Sequence, residues 1–155
     1  MESGHKYRVI AWWSAGKAGL AKSDSAPNAI HFTAPTQFGG CEGRWSPEDL
    51  LLAAVAGCYT TTFRAVAEYS KFEYTDLEVE THGVIRKVES GYQFDTIVIR
   101  PTVTIVSEDD LPRARLLLEK AKRLCLVSRA LSVPQICEPQ VRVAARKELG
   151  QALPV

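Results

Sequence analysis

Apolar and polar positions along the chain fall into two periods, which divide it into strands and helices. Tyr7, Val9, Ile10, Trp12 and Trp13 are β-formers, so residues 7–13 predict a strand, ended by Gly16 and Gly19. Another short strand is expected over 29–33, between Pro27 and Pro35. Residues 35–45, with Gly39-Gly40 and Gly43, read as loop. Leu77, Val79 and Thr81 alternate with Glu78, Glu80 and His82, the pattern of a half-buried strand. Residues 92–106 predict a second long strand, with Ile97, Ile99, Val103 and Ile105 on alternate positions. Glu89-Ser90-Gly91 between them makes a hairpin. Pro101 predicts an edge position or a bulge.

The helical period appears twice. Ser46-Pro47-Glu48-Asp49 is a helix start: Ser46 is a suitable N-cap, and Pro47 sits where a missing N–H costs nothing. Asp49 three residues on approximates a capping box. The helix is expected to run to about residue 69. Its first half, 50–58, is apolar on all sides, which predicts burial on all sides. Its later half regains a polar face at Arg64 and Glu68. Ser107 before Glu108, Asp109 and Asp110 starts a second helix, which carries Leu111, Ala114, Leu117, Leu118 and Ala121 to about Leu124. Cys125 lies just past its end. Ser128 is expected to open a short helical turn through Leu131, and 140–145 to form a last strand. The class is α+β, mostly antiparallel sheet with two main helices, in a single domain over 1–155.

Composition narrows the partners. Nineteen basic residues against 18 acidic give a net charge of +1, which offers no footprint for nucleic acid or an acidic membrane. A small or apolar ligand fits better. No apolar run follows the first residues, so no secretory signal is expected. The longest apolar run, nine residues over 50–58, is too short to span a bilayer. A cytoplasmic location follows as the expectation. In that reducing compartment a disulfide is transient and catalytic rather than structural.

Four cysteines carry the candidate chemistry: Cys41, Cys58, Cys125 and Cys137, with no C-x-x-C pair. Cys58 inside an apolar helix, taken alone, reads as a small buried hydrophobe. Cys125 follows Lys120, Lys122 and Arg123, and cations favour the nucleophilic thiolate. Glu48 complements the helix dipole in the first turn, and Arg44 reads as a solvated loop charge. Cys41 reads as a loop cysteine and Cys137 as structural. His5, His31 and His82 lack ligand spacing, so no metal and no cofactor are expected.

Taken together these segments resemble a family. Ser46-Pro47-Glu48-Asp49-Leu50-Leu51, then Ala53-Ala54, then Cys58, is similar to the N-P-E-E-L-x-x-A-A-x-x-x-C helix signature of OsmC/Ohr proteins. Lys120-Ala121-Lys122-Arg123-Leu124-Cys125-Leu126-Val127-Ser128 resembles their K-A-K-x-x-C-P-V-S element. The element order also fits over nearly the whole chain. The resemblance implies an OsmC-like fold assembled as an intertwined homodimer, with sites at the subunit interface. It implies a thiol peroxidase for organic hydroperoxides, with Cys58 as peroxidatic thiolate and Cys125 as resolving thiol. Glu48 would hold an activating arginine, and a dithiol such as a lipoylated protein would act as reductant.

Two positions depart from the family pattern. The family's activating arginine lies either near the first strands, where Arg8 is the only arginine and lies in the strand rather than after it, or about ten residues before the glutamate, where this chain has Phe38. Arg44, Arg8 and Lys17 remain as candidate cations, with Arg44 preferred on the loop before Glu48. The proline after the second cysteine is Leu126. An ideal helix rises about 15 Å over ten residues and turns roughly 2.8 times, so Glu48 and Cys58 of one helix point apart. A two-fold dimer bringing Glu48 of one subunit to Cys58 of the other is the expectation. The alternative function is a catalytically silent OsmC-like stress protein that binds an apolar small molecule.

Overall fold

The structure is a computed structural model and describes residues 4–145. By internal contacts the chain forms two compact units, one through Leu51 and one from Leu52.

The first unit is an antiparallel meander of β1 (Val9–Ala15), β2 (Ala18–Ser23) and β3 (Ile30–Thr33), in that order. Gly19 does not end a strand, as its type suggested, but lies within β2 opposite Trp13. A Cβ there would stand 2.5 Å from the Trp12 carbonyl oxygen and 2.6 Å from the Phe32 ring, so close approach requires glycine. The turn is made by Gly16, whose φ is 53°. After β3 a short 3-10 turn spans Thr36–Phe38, and the chain returns along β3 so that Thr33 N–H donates to the Trp45 carbonyl at 2.9 Å.

That return delivers Ser46 to the start of α1 (Pro47–Tyr69). The capping box forms as its residues dictate. Asp49 N–H donates to Ser46 Oγ at 3.1 Å, and Ser46 N–H donates to Asp49 Oδ2 at 2.9 Å.

In the second unit β4 (Asp76–Val88) and β5 (Gly91–Ile105) form the long antiparallel hairpin. Two short strands, β6 (Gln135–Cys137) and β7 (Gln140–Val143), pair in parallel with the far side of β5. Pro101 is therefore in a central strand, not at an edge, and the bulge falls at Val84/Ile85 instead. The reason is local. Ile97 N–H, the Ile99 carbonyl and the Ile105 carbonyl all bond on the β6/β7 side, so odd positions of β5 face that way. Pairing with β6 stops at Ile99 and with β7 starts at Thr102. Pro101 occupies the gap, where no strand needs its N–H.

The second helix starts later than its cap. Ser107 Oγ accepts from Asp109 N–H at 3.3 Å, but Glu108–Asp110 form a 3-10 turn before α2 (Leu111–Leu124). A short α3 (Leu126–Ala130) begins at Leu126, two residues earlier than the expected turn.

Val55, Tyr59 and Phe63 of α1 form one buried cluster with Ile97, Ile99, Val103 and Ile105 of β5 and Leu117, Leu118 and Cys125. Burying a side chain such as Phe63 contributes roughly 1.5–3 kcal/mol. Tyr59 also donates its hydroxyl to the Leu118 carbonyl at 2.7 Å, which fastens α1 to α2. Helix α1 is longer than its apolar run and, by length and composition alone, long enough to cross a bilayer; a core helix passes the same test. The expectation of burial on all sides is not met within one chain. Ala53, Ala54 and Gly57 are exposed, because the apolar circumference of α1 exceeds what the rest of the chain covers.

Candidate functional site

Two sequence-distant thiols meet in the second unit. Cys58 is half-buried midway along α1. Cys125 is fully buried and stands at the junction where α2 stops and α3 starts. Its extended backbone, φ −60° and ψ 109°, turns the chain out of α2 while its N–H still bonds the Ala121 carbonyl at 2.9 Å. Its own carbonyl accepts from Arg129 N–H at 3.0 Å, the first bond of the next turn. The junction thus holds Cys125 rigidly and lays the following amides against Cys58. Val127 N–H donates to Cys58 Sγ at 3.5 Å. One turn along α1, Thr62 Oγ1 is 4.0 Å from the same sulfur. Both cysteines are free thiols.

Their environments push them in opposite directions. Burial pushes the Cys58 thiol up, but the Val127 amide, the Cys125 thiol, the Thr62 hydroxyl and the Leu126 amide outweigh it and leave Cys58 below its ordinary value. Leu126 takes part because it is not proline: the departure from the family pattern adds an N–H. Cys125 goes up, first through burial. The Ser128 amide and Lys122 pull it back, while its contact with Cys58 raises it further. The Cys58 thiol is thus lowered and the Cys125 thiol beside it raised, with Cys125 acting as a hydrogen-bond donor to Cys58.

Glu48, Arg44, Arg8 and Lys17 belong to the first unit. Glu48 Oε2 is buried and has no hydrogen-bond partner among the described residues. Arg44 is exposed, and among the described residues no ion pair joins it to Glu48. Arg8 pairs with Asp24 at 3.0 Å, and Lys17 Nζ donates to the Phe38 carbonyl. Cys41 is exposed, its N–H held by Thr33 Oγ1 at 3.1 Å. Cys137 is half-buried on β6, and burial pushes its thiol up.

Two further residues bear on the thiols: Thr62, which sequence reasoning missed, and Lys122. Thr62 follows Cys58 by four positions, one helical turn, which is a legible signal. Lys122 precedes Cys125 by three, in the basic run whose cations favour a thiolate there and in the K-A-K-x-x-C-like element, but the sequence does not single it out from Lys120 and Arg123. In the structure it is inside a polar cluster: Lys122 Nζ donates to Ser128 Oγ at 2.8 Å and to Gln135 Oε1 at 3.1 Å.

On an α+β scaffold, then, helix α1 presents a thiol contacted by hydrogen-bond donors to a second free thiol. The chain belongs to the OsmC-like protein family, whose pattern matches residues 39–137 across the boundary between the two units. It is 28% identical over 130 residues to the uncharacterized protein YmaD of Bacillus subtilis, covering 82% of this chain and 87% of that protein. Its fold is that of an OsmC-like protein of unknown function from Vibrio cholerae, with a TM-score of 0.77 and 17% identity over 88% of this chain and 99% of the other. It is likewise that of an organic hydroperoxide resistance protein from Elizabethkingia anophelis, with a TM-score of 0.74 and 21% identity over 93% of this chain and 100% of the other.

Proposed function

We propose that the protein is a cytoplasmic thiol peroxidase that reduces organic hydroperoxides through Cys58 and Cys125. The observation that carries this reading is the Cys58 sulfur, lowered toward thiolate by amide and hydroxyl donors and placed against a second free thiol. Membership of the OsmC-like family, and a fold shared with a protein named for organic hydroperoxide resistance, support it.

The steps balance without a metal or cofactor. The Cys58 thiolate attacks the terminal oxygen of the hydroperoxide, the O–O bond breaks, and the alkoxide leaves and takes up a proton. Sulfur is oxidised by two electrons to sulfenic acid. The Cys125 thiolate attacks that sulfur, a disulfide forms, and hydroxide leaves as water. An external dithiol, of the kind carried by a lipoylated protein, reduces the disulfide by exchange. Glu48 with a cation, Arg44 in the first instance, completes the site from the other subunit of a homodimer. The exposed Ala53, Ala54 and Gly57 on α1 suit close helix packing between two such subunits, and the orphaned Glu48 oxygen suits a partner cation. A single domain then serves as the protomer.

The test is stoichiometric. Reduced protein treated with one equivalent of cumene hydroperoxide loses two free thiols, and Cys58→Ser abolishes the loss. Equal peroxide consumption by Cys58→Ser and the parent protein overturns the reading.

A further inference from the structure

Lys122, Ser128 and Gln135 come from three different elements, α2, α3 and β6, and meet behind the Cys125 junction. Lys122 Nζ bridges Ser128 Oγ at 2.8 Å and Gln135 Oε1 at 3.1 Å. Gln135 Nε2 returns a bond to the Ser128 carbonyl at 2.8 Å, and Ser128 Oγ bonds Gln135 Oε1. Ser128 is only 2% exposed. Every bond in the cluster ends on Ser128 or on a group that grips it, and Ser128 lies three residues after Cys125 as Lys122 lies three before. The cluster therefore fixes both sides of the Cys125 turn. A lysine with two acceptors in a half-buried position is anchored.

We propose that Lys122 is a positioning residue for the second thiol: its ammonium, pinned between Ser128 and Gln135, favours the Cys125 thiolate as that thiolate displaces a leaving group from the Cys58 sulfur. The inference rests on the reading that Cys125 attacks Cys58. In that step the Cys125 proton goes to solvent, the S–S bond forms, and the bond from Cys58 sulfur to its leaving group breaks with its electron pair. Burial opposes the anion at Cys125, and Lys122 is the side-chain cation that acts against it. The titratable groups around Cys125 are Cys58 and Tyr59 from α1 and Lys122 from α2. Cys137 of β6 lies beyond, within reach of both Tyr59 and Lys122 and of Glu119 and Glu138. The donors that lower Cys58 are the Val127 and Leu126 amides, the Cys125 thiol and the Thr62 hydroxyl, so the Lys122 charge is expected to be felt in the resolving step.

The test isolates that step without peroxide. In a Cys41→Ser, Cys137→Ser background, dithionitrobenzoate labels Cys58 in a bimolecular phase. Cys125 then expels the second thionitrobenzoate in a unimolecular phase that does not depend on reagent concentration. Replacing Lys122 by Gln removes the charge and keeps a hydrogen-bonding side chain. The pH profile of the unimolecular phase then moves up by about one unit, and its rate below the midpoint falls about threefold or more. The bimolecular phase is unchanged, and Lys122→Arg keeps the parent profile. Gln135→Ala loosens the anchor but leaves the charge; it slows the unimolecular phase without moving the profile. A Lys122→Gln profile that superimposes on the parent overturns the proposal, as does a Lys122→Arg profile displaced as far as that of Lys122→Gln. Should Lys122→Gln fail to fold, an unchanged rate in Gln135→Ala overturns it instead. Failure of peroxide turnover with normal exchange counts against the peroxidase reading and leaves this one standing.

Discussion

Replacing Thr62 by Val isolates one of the donors that lower the Cys58 thiol. Valine keeps the shape and branching of the side chain, so packing on α1 is preserved and only the hydroxyl is lost. The hydroxyl is 4.0 Å from the sulfur, at the long limit for a bond to sulfur. A hydrogen bond to a charged acceptor contributes about 1.5–3 kcal/mol and a neutral one about 0.5–1.5, so a bond this long contributes about 1 kcal/mol. At about 1.4 kcal/mol per unit, the Cys58 titration moves up by about 0.7 unit. The sign follows from the charge: the donor favours the thiolate, its loss favours the thiol, and the midpoint rises. Below that midpoint the thiolate fraction falls about fivefold. The more basic thiolate is more nucleophilic, with a Brønsted slope of about 0.4–0.5, so the net rate falls only about two- to threefold. The pH dependence of dithionitrobenzoate attack by Cys58, in a Cys41→Ser, Cys137→Ser background, reads both quantities. Thr62→Ser restores the parent curve. A Thr62→Val titration identical to the parent refutes the reasoning, and a slower rate with an unmoved midpoint assigns Thr62 to packing alone.

Other expectations follow from single contacts. Ser46→Ala removes the side-chain half of the α1 capping box and costs about 1 kcal/mol in urea denaturation, with the denaturant slope unchanged. Tyr59→Phe removes the buried bond to the Leu118 carbonyl and lowers stability by about 1–3 kcal/mol, while the phenyl ring keeps its place in the core. Gly40→Ala lowers the thermal midpoint sharply, because its Cβ would lie 1.5 Å from the Ala34 carbonyl oxygen, a backbone atom that cannot turn aside. Cys125→Ser leaves Cys58 oxidised as a sulfenic acid, trapped by dimedone in higher yield than in the parent, since the resolving thiol is gone.

What could be read in the chain before folding was the chemistry with a local signature. Ser46, Pro47 and Asp49 announce a helix start because capping involves residues three apart, and the observed bonds match. The two thiols were legible as separate motifs, while their meeting depends on Tyr59 and Leu118 packing α1 onto α2, a tertiary event. Strand β2 was missed because its sequence, Ala-Gly-Leu-Ala-Lys-Ser, is weak in β-formers; its neighbours on both sides recruit it. Pro101 misled because the rule against central proline assumes a continuous partner strand, and here the partner is split between β6 and β7. Strand β6 is three residues long, too short to show alternation, yet it carries Gln135 to Ser128. Lys122 was legible as one of several cations before Cys125, but not as the anchored one, since Gln135 and Ser128 are brought to it only by the fold.

The central claim is that Cys58 and Cys125 form one working pair across the α1 and α2–α3 elements. Peptide mapping of protein oxidised with one equivalent of cumene hydroperoxide addresses it most directly. The account predicts that a single linked peptide pair, containing Cys58 and Cys125, accounts for the lost thiols. Oxidised protein in which Cys58 is bridged to Cys41 or Cys137, or remains a free thiol while others oxidise, contradicts it.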